Sequence, residues 1–172
     1  PSAKSDVVQK LVPNALWYFR YAALFTFLTG LYLIHYLSIA INISIILGAV
    51  LGTFMFLNVW LIIWPNQKKV ISGSPDAADA GAKAGLASRT NTLFSIPMLW
   101  FMVYSAHGTA IGNTILSLEE SLLSLWVGLV LIAIIEANAV WGKMNAAITS
   151  VKAVIHSGVA LTVILGLIVC YL

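Results

Sequence analysis

The chain has 172 residues, 60% of them hydrophobic and 9% charged, with a formal net charge of +3 and a mean hydropathy of +0.96. Soluble domains carry about 25% charged residues, so this composition excludes an ordinary water-soluble globule and points to lipid as the solvent. The basic residues sit between apolar runs rather than along one helical face, which gives nucleic-acid binding no support.

A helix needs about 20 mainly apolar residues to cross the hydrocarbon core, and five windows supply them: 15–38, 43–64, 92–113, 121–141 and 153–172. Apolar alternation of the barrel type is absent, so each is read as a helix that satisfies its own backbone. The expected fold is an all-α membrane bundle of five spans forming a single domain, with 65–91 as its one substantial loop. Within that loop Ser72-Gly73-Ser74-Pro75 breaks the chain. The Ala/Gly-rich stretch 77–88 reads either as a mobile loop or as a short surface helix with Asp76 at its start and Arg89 at its end.

Basic residues test this segmentation, because cytoplasmic loops are enriched in Lys and Arg. Lys4, Lys10 and Arg20 flank the first span, Lys68, Lys69, Lys83 and Arg89 lie between the second and third, and Lys143 and Lys152 lie between the fourth and fifth. With five spans all nine share one side, and the opposite loops hold only Glu119 and Glu120. The expectation is a multi-pass protein of a bacterial inner membrane, N-terminus cytoplasmic and C-terminus periplasmic. Trp17, Trp64 and Trp141 fall at inner ends and Tyr36 and Tyr171 near outer ends, as aromatic belts do. Gly48 with Gly52, and Gly158, Thr162 and Gly166, have the spacing of close helix contacts. If this chain were an accessory structural subunit, one of those faces would meet another chain.

Ionisable residues inside spans are costly and are functional candidates. His35 and His107, on different spans at matched outer depth, are candidate axial ligands of a haem b, whose iron takes imidazole nitrogens from both faces. No CxxCH occurs, which excludes a covalent c-type haem, and the lone Cys170 can form no internal disulfide. On the inner side Arg20, Asn58, Glu136, Asn138 and His156 gather, with Arg20 the expected counter-ion of Glu136. That group reads as a structural polar clamp or as a proton or quinone-head site. No nucleophile–base pair, phosphate loop or metal-ligand spacing other than candidate haem ligation is present. Pro97 is placed in the first turns of the third span, where proline is tolerated.

Two strings carry a resemblance. The run NVWLIIWPNQKKVI at 58–71 and the run SRTNTLFSIPML at 88–99 resemble the membrane domain of the membrane-anchored bacterial urate hydroxylases, the urate oxidase N-terminal domain family; a weaker likeness extends to His107 and to Glu136-Ala137-Asn138-Ala139. The motif positions are Asn58, Trp60, Trp64, Pro65, Asn66, Gln67, Arg89, Asn91 and His107. The resemblance implies a fused periplasmic cytochrome c domain. The sequence ends at Leu172, so a separate cytochrome c or other membrane subunits of a larger complex are expected to supply the redox partner. The functional expectation is an electron-transfer subunit; the alternatives are an accessory subunit of a respiratory or photosynthetic complex and a urate-oxidising enzyme, an oxidoreductase, working with a separate cytochrome.

Overall fold

A computed structural model describes residues 10–36, 41–108 and 121–172. Among them the fold is all-helical: α1 (Val12–Tyr36), α2 (Ile43–Leu57), a π-helical segment (Asn58–Ile63), α3 (Trp64–Ile71), α4 (Ala77–His107), α5 (Leu122–Trp141) and α6 (Val151–Tyr171). From α2 through α3 the helix is continuous, giving five rods. Three of them, Ile43–Ile71, Leu122–Trp141 and Val151–Tyr171, are long and apolar enough to cross a membrane. The other two are diluted, α1 by Arg20 and its tyrosines, α4 by Asp79, Lys83 and Arg89 in its first half. Lys4, Glu119 and Glu120 lie outside the described residues.

The stretch 65–91 is not a loop. Its first part continues the helix of the second window and its last part belongs to the helix that carries the third, so only the corner between Ile71 and Ala77 is non-helical. That corner is built by a capping motif: Gly73 N–H donates to Val70 and Ser74 N–H to Lys69, at 3.3 and 3.1 Å, with Gly73 at φ 66°. The two crossed bonds close the end of α3, and only a residue without Cβ takes that left-handed position cheaply. Lys69 then pairs with Asp76 across the corner at 2.7 Å.

Pro65 does not stop its helix because the backbone widens ahead of it. The Trp64 N–H reaches back five residues to Val59, and this π turn relieves the clash a proline ring makes with the carbonyl four residues earlier. Asn66 adds a side-chain bond to the Ile62 carbonyl at 2.7 Å.

Helix α4 is the central rod. Gly48 lies against Phe101, where an added Cβ would stand 3.2 Å from the Phe101 Cβ, and Gly52 faces the Met98 sulfur. On the other side Gly158 abuts Ile96 and the Leu93 carbonyl, and Gly166 abuts the Trp100 ring. Both small-residue faces are therefore used inside the chain. Pro97 belongs to this arrangement: since α4 starts at Ala77, the proline is deep in the helix and buried, not in its first turns. It has no N–H to give to the Leu93 carbonyl, and Gly158 brings α6 against that same oxygen. Phe94, Phe101, Leu47, Leu51, Ile132 and Leu165 fill the core around it.

Helix α1 is attached differently. None of its residues is buried, and it meets the bundle chiefly through a parallel stack of Phe27 on Phe56, centroids 4.5 Å apart, and an edge-on contact of Tyr21 with Trp60.

Candidate functional site

The π segment turns Asn58 inward. Its Nδ2 donates to Asn91 Oδ1 at 3.0 Å and to Glu136 Oε2 at 3.1 Å, and Asn91 Nδ2 donates to the Met55 carbonyl at 3.0 Å. All three side chains are buried. One amide thus ties α4 and α5 to the second rod, and it is the point at which the two motif strings meet. Asn91 was not expected in this group, because the stretch containing it reads as a loop; the available signal was a lone amide one turn before an apolar run.

Arg20 does not pair with Glu136. The only ion pair among the described residues is Lys69 with Asp76, and the Arg20 guanidinium instead lies over aromatic rings, with Cζ 4.0 Å from the Trp64 centroid, 4.8 Å from Tyr21 and 5.1 Å from Trp60. The cause is lateral placement: Arg20 faces the π-helical segment and α3 from the peripheral helix, whereas Glu136 is buried in the core from α5. Asn138, half-buried, sits against Gly142 at the end of α5, and His156 is exposed on α6. Neither joins Asn58. Gln67 and Arg89 are half-buried and outside the cluster, while Trp60 and Trp64 form an aromatic ladder with Phe56.

Beside this cluster a cleft of about 710 Å³ opens between α1, α2 and α4. Its volume is in the range of small-molecule and cofactor pockets. Phe27, Phe56, Met98 and Met102 give it apolar walls, and Ser88, Asn91, Thr92 and Ser95 form a polar stripe along α4. Helices α1 and α4 run in the same direction, as the pairing of each with α2 requires, so their C-terminal ends close the same end of the cleft. The lining reaches Ile34 on one and Ala106 on the other. His35 and His107 are the next residues of each helix; both are exposed and neither is part of the lining.

The profile of the urate oxidase N-terminal family matches residues 39–169, most of the chain and all of the rods except α1. The chain belongs to the urate oxidase N-terminal family. No curated protein and no solved structure matches it. The family match covers both motif strings, the Asn58–Asn91–Glu136 cluster and His107. Helix α1, with Arg20 and His35, lies before the matched region. The membrane-like helices and the family together fit a membrane subunit.

Proposed function

We propose that this chain is an electron-transfer subunit embedded in a bacterial inner membrane, holding a haem b at the His35–His107 end of the cleft and exchanging electrons with a periplasmic cytochrome c. The observation that carries the reading is the cleft itself, bounded at one end by the residues immediately preceding two histidines on separate helices. A neutral imidazole on each helix is the donor set that six-coordinate haem iron takes. Bound there, haem would supply a one-electron redox centre. The chain's own part would be to present the two imidazoles from helices that end together. Charge supports the proposed orientation: Lys68, Lys69, Lys143 and Lys152 occupy the bundle end opposite His35 and His107, and the positive-inside rule favours the cytoplasm for that end.

An optical spectrum of the purified full-length protein tests this. The expected result is a Soret band that His35→Ala and His107→Ala each abolish; no band in the wild-type protein, or a band indifferent to both substitutions, would remove the proposal.

The family match favours a second reading, urate oxidation with a separate cytochrome as electron acceptor. Membranes containing the protein would then reduce added cytochrome c when given urate. Absence of that reduction with a cytochrome partner present would eliminate it.

A further inference from the structure

At the end of the cleft far from the histidines, the aromatic ladder carries two cations on one indole. Arg20 Cζ lies 4.0 Å from the Trp64 centroid, and Lys68 Nζ lies 4.2 Å from the same ring. Tyr21 packs on Trp17 with centroids 4.6 Å apart and meets Trp60 edge-on, so the walls are aromatic. No carboxylate of the described residues pairs with either cation. Two donors within the cage, Arg20 Nε and Trp60 Nε1, are buried without an acceptor.

Aromatic faces attract a cation but accept no in-plane N–H bonds. A guanidinium stacked on an indole still presents its N–H edge, in the fork geometry that suits phosphate oxygens. The cage therefore has positive charge and oriented donors but lacks oxygen acceptors. Trp17 is half-exposed and Lys68 exposed, near the ends of α1 and α3, where a membrane interface places tryptophans and basic residues. An anion delivered at that level is a lipid headgroup, and basic pockets between helices are known to take such groups.

We propose that Arg20, Lys68 and the Trp60 indole N–H form a binding site for the phosphodiester of an anionic phospholipid, its acyl chains continuing into the surrounding bilayer. The site requires neither haem nor urate, and it explains why Arg20 sits on the peripheral helix rather than beside Glu136. Bound lipid would tie α1, which has no buried residues of its own, to α3.

The test uses the full chain reconstituted in vesicles of phosphatidylcholine doped with phosphatidylglycerol, extracted in mild detergent and examined by native mass spectrometry. Wild type is expected to retain phosphatidylglycerol in preference to phosphatidylcholine. Arg20→Gln should lower that preference roughly fivefold, the weight of one basic residue at an anionic surface, and Lys83→Gln, a cation elsewhere, should leave it unchanged. Trp60→Phe, which removes only the ring N–H, should lower it in a protein of unaltered helicity, which keeps the test valid if Arg20→Gln folds poorly. Equal retention of the two lipids, or a preference indifferent to Arg20 and Trp60, would overturn the proposal. So would Arg20-dependent displacement of the lipid by inorganic phosphate at equal concentration, since the site would then be one for free phosphate.

Discussion

Asn58 and Glu136, 78 residues apart in sequence, meet at 3.1 Å through one amide N–H and one carboxylate oxygen in the buried interior of the bundle. The same amide nitrogen holds Asn91, so a single side chain sets the register of the second rod against both α4 and α5. Among the described residues no cation pairs with Glu136, and Asn58 is its only side-chain hydrogen-bond partner.

Removing that donor should therefore cost more than exchanging the carboxylate for an amide that can still accept. Asn58→Ala leaves the Glu136 carboxylate and the Asn91 carbonyl without their partner, with an expected loss of about 1–3 kcal/mol or more where a charge is stranded. Glu136→Gln, which keeps shape and hydrogen-bonding capacity, should cost less. Thermal unfolding in detergent of both variants checks the order; equal losses would mean that the bond to Asn58 contributes little.

The glycine contacts predict a contrast within single-methyl substitutions. Gly158→Ala would place its Cβ 2.6 Å from the Ile96 Cδ1 and 3.2 Å from the Leu93 carbonyl. The backbone oxygen cannot swing away, so a loss of about 1–3 kcal/mol is expected from overpacking. Gly85→Ala, on a helix surface with nothing within 4 Å, should instead stabilise by about 0.5–1 kcal/mol through helix propensity. Melting temperatures of the two variants should move in opposite directions.

Helix α1 should open before the rest. It contributes no buried residue and depends on the Phe27–Phe56 stack, a contact worth about 0.5–1.5 kcal/mol beyond area burial. Hydrogen exchange in detergent is expected to be faster in α1 than in α4, and Phe27→Ala should accelerate it in α1 while leaving α4 unchanged. Uniform exchange across both helices would contradict this.

The corner between α3 and α4 carries a defined acid titration. The Lys69 ammonium and the Ser74 hydroxyl hold the Asp76 carboxyl down to about 2 from an ordinary 3.8. A carboxyl whose folded value is depressed adds stability above its unfolded value, and that contribution disappears as pH falls from about 4 through about 2. The carboxyl is solvent-exposed, so the effect on global stability is small and screened by salt. The sensitive measurement is the carboxyl carbon resonance of Asp76, whose midpoint should rise toward 3.8 in Lys69→Ala.

The helices themselves were legible because lipid demands long apolar stretches, and the windows at 121–141 and 153–172 agree with α5 and α6 to within two residues. The segment 65–91 reads as a loop because its signals are local breakers, Pro65 and the Ser72–Pro75 run. A π turn absorbs the first and a capped corner of a few residues absorbs the second. Asn91 was hidden by the same error, since a polar residue assigned to a loop has no neighbour to find.

Composition by itself determined the all-α, membrane-like character, because that arises from each segment's transfer between water and lipid, a property of local sequence. The pairing of Asn58 with Glu136, the diversion of Arg20 onto Trp64 and the cleft below His35 and His107 were decided only by tertiary structure. Each depends on which face one helix turns toward another, and that is fixed by glycine contacts, proline-induced changes of helical register and side-chain packing between residues far apart in the chain.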